Sequence, residues 1–82
     1  MNKHSIFEKV RDLLISEFKV ASESIALEKR LDEDLDLDSL DMVDLIVALK
    51  DHIGEKVDIS LFKDVRTVQD TVDLLQPLWK AA

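Results

Sequence analysis

Hydrophobic positions in this chain recur at helical spacing. Ile6, Val10, Leu13, Leu14 and Phe18 fall on one stripe of a helical wheel, and Glu8, Lys9, Arg11, Asp12 and Glu17 fall mostly on the opposite side. The pattern predicts an amphipathic helix over residues 5–18. Ser5 followed by Glu8 reads as the capping box that opens it, each side chain accepting from a free backbone N–H of the first turn. Residues 19–37 have no sustained period, yet Val20, Ile25, Leu27, Leu31, Leu35 and Leu37 are scattered through them. A structureless connection of that length is uncommon in a small domain. Those side chains are expected to pin it to the rest, with a short helical turn near residues 23–27. A connection this long can cross the whole bundle, so the helices on either side need not be antiparallel neighbours.

A second helix is predicted to begin at Asp38 or Ser39 and to end near Ile53, with Gly54 as its stop. Gly54 and Asp58 bracket a turn, and Asp58 or Ser60 is placed to cap a short helix through Leu61, Phe62 and Lys63. The last helix opens at Thr67 with Asp70 as a second capping pair. Val68, Val72 and Leu75 form its buried stripe, with Leu74 beside it. Pro77 ends it, because the residue before a proline is pushed out of helical geometry. Strands would need period-two alternation and turn dipeptides, and the sequence offers neither. One glycine and one proline leave long uninterrupted periods. The fold class is therefore all-α, a single domain over residues 1–82.

The second helix carries two apolar stripes rather than one. At about 100° per residue, Met42, Leu45, Ile46, Leu49 and Ile53 form the arc that faces the core. Leu40, Val43 and Val47 form a second arc more than a quarter-turn away, with Asp41, Asp44 and Asp51 on the adjoining sector. A helix buried on one side only would carry polar residues at those three apolar positions. Two readings stand at this stage. The short helix near Phe62 or the long loop covers the second stripe, or the stripe is a docking patch in which apolar contact supplies affinity and charge supplies steering.

Composition sharpens the picture through charge. The net charge is −7, and Asp32, Glu33, Asp34, Asp36, Asp38, Asp41 and Asp44 are seven acids with no base among them. The other eleven acids balance the eleven lysines and arginines. The excess is thus local to one site, which argues against nucleic acid and anionic membrane and for a basic partner surface. The chain has no cysteine, which excludes disulfides, zinc–thiolate sites and a thiol nucleophile. No apolar run approaches a membrane span and no signal-peptide pattern opens the chain, so a soluble cytoplasmic protein is expected. With one small apolar stripe exposed, a monomer is expected too.

Ser39 sits within this acidic run. If Asp38 is the N-cap, Ser39 is the first helical residue and its hydroxyl points outward at the helix tip. If Ser39 is itself the cap, or an idle surface serine, the hydroxyl has no special standing. Sharper chemistry fails on spacing. A calcium loop needs glycine sixth and glutamate twelfth, and counting from Asp32 those places hold Leu37 and Val43. No metal site is expected. A serine hydrolase needs a histidine base, and His52 lies about three and a half turns along the same helix. His52 instead suits a solvated helix C-terminus, and His4 reads as ordinary N-terminal surface. Acid–base catalysis by paired carboxylates needs a walled cleft, for which short helices leave little room. An enzyme is not expected.

Asp38-Ser39-Leu40-Asp41, preceded by Asp34-Leu35 and followed by Val43-Asp44-Leu45-Ile46, resembles the phosphopantetheine attachment site of acyl carrier proteins. Thr67-Val68-Gln69-Asp70 is similar to that family's start of its last helix, and the likeness spans nearly the whole chain. The resemblance implies a four-helix bundle with a short third helix and a long loop between helices I and II. It implies that Ser39 carries 4′-phosphopantetheine, taken from coenzyme A by a phosphopantetheinyl transferase. The arm's thiol would then hold acyl groups as thioesters for acyl-transfer and chain-elongation enzymes of fatty-acid, polyketide or related lipid biosynthesis. By motif position Asp38, Asp41, Asp44 and Asp51 match acidic positions that face basic partner patches, and Leu40, Val43 and Val47 match apolar contacts among them. Leu49, Val57, Phe62, Val65 and Val72 match an interior that shelters an acyl chain in some carriers. Three positions depart from the family. Asp36 replaces a common glycine before the serine, Lys50 replaces a common carboxylate, and Phe62 replaces a small residue and would shorten or close the interior. Asp38 directly before the serine favours an acyl over a peptidyl carrier. An aminoacyl or D-alanyl carrier, and an acidic helical interaction module without a prosthetic group, are the alternatives.

Overall fold

Each of the three long apolar stripes becomes an α-helix: α1 (Lys3–Phe18), α2 (Ser39–Ile53) and α3 (Val68–Leu75). The computed structural model describes residues 2–54, 57 and 59–79. Among these residues there is no strand. α1 packs against both α2 and α3. Ile6, Val10, Leu13 and Leu14 of α1, Leu45, Ile46 and Leu49 of α2, and Val68, Val72 and Leu75 of α3 meet in one core. Phe18, Met42, Ile53 and Leu74 are half-buried against it.

α1 starts earlier than the Ser5–Glu8 pair suggests. Asn2 is the N-cap, and its Oδ1 accepts the backbone N–H of Ser5 at 2.8 Å. Asparagine caps as well as serine does, and starting at Asn2 lets its carbonyl accept the N–H of Ile6, a core residue. Glu8 is then free of capping duty and lies 3.1 Å from His4 one turn back.

The long connection is pinned as expected, but by backbone as much as by side chains. Ile25, Leu31, Leu35 and Leu37 are buried and Val20 is half-buried, whereas Leu27 faces solvent. The N–H of Leu31 donates to the Arg66 carbonyl at 2.9 Å, that of Val68 to Lys29 at 3.0 Å and that of Gln69 to Leu27 at 2.9 Å. The loop and the start of α3 thus satisfy each other's backbone, which periodicity along one segment does not reveal. The helical turn expected near residues 23–27 is a 3₁₀ turn at Ser22–Ser24.

A 3₁₀ turn also stands where the short third helix was expected, at Ile59–Phe62, with Phe62 turned into the core. Ser60 lies inside that turn, and Asp58 lies outside the described residues. α3 opens as the sequence predicts: Thr67 Oγ1 accepts the N–H of Asp70 at 3.0 Å and Asp70 Oδ2 accepts that of Thr67 at 3.1 Å. Its end differs in cause. Gln76 keeps right-handed helical angles (φ −54°, ψ −49°) although it precedes Pro77. The ladder stops because Pro77 has no N–H to give, and the chain turns so that Leu78 and Trp79 both donate to the Leu75 carbonyl. That turn buries Trp79 against the core, its ring centroid 6.1 Å from that of His52.

Candidate functional site

The N-terminal tip of α2 is fixed by its cap. Asp38 has extended backbone angles, its Oδ1 accepts the N–H of Asp41 at 2.8 Å, and Asp41 Oδ2 accepts the N–H of Asp38 at 3.2 Å. Ser39 is therefore the first helical residue and not the cap. It is exposed, and its hydroxyl makes no hydrogen bond among the described residues. The hydroxyl stands beside backbone N–H groups that open the helix, where the dipole favours an attached anion and the nearby carboxylates oppose it.

The chain approaches this tip through Asp36, whose φ is 61°. That left-handed conformation suits glycine, and aspartate is among the few other residues that tolerate it. The turn before Ser39 is thus formed without the glycine. The acidic run is also less bare than its sequence suggests. Arg30, just upstream, donates from Nε to Asp32 Oδ1 at 3.2 Å and lies 3.6 Å from Glu33. Its own N–H donates to Asp34 Oδ2 at 2.7 Å. The hydrogen bond from Arg30 holds the Asp32 carboxyl below its ordinary range, helped by the N–H of Glu33.

Beyond Ser39 the second apolar stripe of α2 is open to solvent. Leu40 is 73% exposed, Val43 40% and Val47 54%, so neither the loop nor the Phe62 turn covers them. Asp44 and Asp51 are exposed beside them, and Asp41 is half-buried by its capping role. Ile59 and Leu61, neither of them among the docking candidates read from the sequence, add two more exposed apolar side chains. Their signal was there in part: with Phe62 facing inward, the rest of so short a turn has no core left to reach.

A cleft of about 620 Å³ opens beside Ser39, between α2 and the Ile59–Phe62 turn. Met42, Val43, Ile46 and Ile59 wall it, with Lys63 and Arg66 among its polar margin. Of the five interior candidates, Phe62 and Val65 line this cleft. Leu49, Val57 and Val72 are fully buried in the core instead. His52 lies about 20 Å along the helix from Ser39 at 1.5 Å per residue, out of reach as its base. Among the described residues no group of three His, Asp or Glu side chains is gathered to hold a metal ion, and no helix is long and apolar enough to cross a membrane.

Comparison with known proteins accords with this geometry. Residues 8–75 match the family model described as a phosphopantetheine attachment site. The chain is 36% identical to acyl carrier protein 2 of Ralstonia nicotianae, over 99% of this chain and 100% of that one. It is 36% identical to the acyl carrier protein of Thermosynechococcus vestitus, over 92% of this chain and 93% of the relative. To that of Saccharopolyspora erythraea it is also 36% identical, over 90% of this chain and 78% of the relative.

Proposed function

Because the chain belongs to the acyl carrier protein family, with its phosphopantetheine attachment site, we propose that Ser39 Oγ is the atom that bears the 4′-phosphopantetheine arm. The single observation that carries this assignment is the free, outward hydroxyl at the tip of α2, released from capping by Asp38. The arm's thiol holds acyl groups as thioesters, and the chain's own work is to present that arm and to be recognised. Its residues make and break no bonds. A flexible tether keeps cargo at high effective concentration near whichever enzyme is docked. Transient docking at each enzyme in turn then suffices.

Leu40, Val43 and Val47 supply the apolar contact, and Asp38, Asp41, Asp44 and Asp51 face basic patches on the phosphopantetheinyl transferase and on acyl-transfer and chain-elongation enzymes. The Ile59–Phe62 turn takes the place of the short third helix of a four-helix bundle. Phe62 and Val65, at the wall of the cleft beside Ser39, are where an acyl chain would first meet the interior. Leu49, Val57 and Val72 become accessible to it only if the core parts. We further propose a monomer that works in the cytoplasm.

The acyl reading is separated from an aminoacyl or D-alanyl one by loading. The holo protein is offered a fatty-acyl donor with its ligase, and separately an amino acid with an adenylating ligase. A hydroxylamine-labile fatty-acyl adduct is the expected product. An aminoacyl adduct alone would assign the chain to the other class of carrier.

A further inference from the structure

Lys50 breaks the charge pattern of the α2 face. Taking Val43 as the origin and about 100° per residue, Val47 and Leu40 lie at about +40° and +60°. Asp51 and Asp44 follow at about +80° and +100°, so the acids border the stripe on one side only. Lys50 lies at about −20°, on the other border, and Ile46 at about −60° opens into the cleft. The same cleft carries Lys63 on its margin. Lys50 is exposed and makes no ion pair among the described residues. Arg66, the other cation of the cleft, is already occupied, with Nη1 donating to the carbonyls of Lys63 and Val65. Asp32 and Asp38 line that cleft as well, so its margin is mixed in sign and the basic side rests on Lys50. Along α2 the stripe has Asp44 and Asp51 on one side and Lys50 on the other.

We propose that the phosphopantetheinyl transferase that loads Ser39 grips this polarised face, setting basic residues against Asp44 and Asp51 and a carboxylate against Lys50. The proposal rests on the docking reading above. A rim of one sign attracts a basic partner without fixing its rotation about the helix. A rim of opposite signs rewards one rotation and penalises the reverse, since like charges brought together are costly. Reach is no obstacle. Ser39 and Lys50 are about 16 Å apart along the axis, and an interface of about 800 Å² per partner is roughly 30 Å across. Lys50 also lies in the last turn of α2, where any cation favours the helix dipole, so a purely structural role must be separated from recognition.

The test measures kcat and KM of the transferase from the same cell on the apo protein, with coenzyme A in excess. Wild type is compared with Lys50→Glu, Lys50→Gln, Lys50→Arg and Asp44→Asn, each checked for folding by circular dichroism. The expected result is a kcat/KM lowered about three- to tenfold by Lys50→Glu through KM, and less by Lys50→Gln. Lys50→Arg restores it, and Asp44→Asn also lowers it. If Lys50→Glu and Lys50→Gln match or exceed wild type while Asp44→Asn falls, the polarised face is wrong and the docking reading stands. If Asp44→Asn too leaves KM unchanged, the docking reading fails first. Lys50→Gln removes the charge without reversing it and decides the matter if Lys50→Glu unsettles the helix.

Discussion

Asp38 and Ser39 divide two tasks that the sequence alone leaves tangled. The aspartate satisfies the helix, which leaves the serine hydroxyl with no structural duty. Asp38 also belongs to the proposed acidic rim, so replacing it changes two things at once. Asp38→Ala should lower stability by about 1 kcal/mol through loss of the cap, whereas Asp38→Ser should hold it nearly constant. Both should weaken transferase binding alike if the carboxylate contributes to docking. Urea midpoints against KM values for the two variants separate the effects. Asp36 is the other residue whose backbone matters. Its φ of 61° is costly for a β-branched side chain, so Asp36→Val should lose about 1–2 kcal/mol. Asp36→Gly should stay within about 0.5 kcal/mol of wild type, its freedom in this conformation offset by its larger unfolded-state entropy. Equal losses in both would mean that the left-handed turn is not what the position requires.

At the scale of elements, helices with strong stripes were legible and their ends were legible where a cap and its partner are three residues apart. Asp38 with Asp41 and Thr67 with Asp70 both form. Ser5 with Glu8 has the same spacing and does not, because Asn2 captures the Ser5 N–H first. Spacing identifies competent pairs but does not rank them. The long loop was legible only as far as its buried leucines, since its backbone partners lie at residues 66–69, far along the chain. The short third element was legible in place but not in type, as four residues carry too little periodicity to separate 3₁₀ from α.

Phe62 joins that turn to the core. Phe62→Ala should cost about 3–5 kcal/mol and widen the cleft beside Ser39. It should also slow hydrolysis of a medium-chain thioester by sheltering it, which is read by following free thiol over time. Asp70 holds the chain entering α3, accepting from the N–H groups of Arg66 first and Thr67 second, which hold its carboxyl below the ordinary range. A lowered folded-state pKa means that Asp70 contributes fully above the unfolded value of about 3.9. That contribution is lost as pH falls through the folded value. Urea midpoints from pH 5 downward should therefore fall less steeply in Asp70→Asn than in wild type, with Asp32, shifted in the same direction, supplying part of the remaining slope.

Across the whole molecule, charge and shape act together. The Cα envelope measures 30 × 24 × 21 Å, and α2 with fifteen residues runs about 22 Å, so one helix presents nearly a full side of the protein. That side holds the free hydroxyl, the exposed apolar stripe and, at Asp38, Asp41 and Asp44, part of the acid excess behind the net charge of −7. The contacts are exposed, so affinity for any docked enzyme should weaken as salt rises from about 50 to 500 mM, where the Debye length shortens from above 10 Å to below 5 Å. Affinity that ignored salt would remove the acidic rim from the interface. The attachment of the arm to Ser39 is the claim on which the rest stands. Intact mass after incubation with coenzyme A and a broad-specificity phosphopantetheinyl transferase tests it most directly, on wild type and Ser39→Ala. One phosphopantetheine on wild type and none on the variant is the expected result. Addition to Ser39→Ala, or none to a wild-type chain shown folded by circular dichroism, would contradict it.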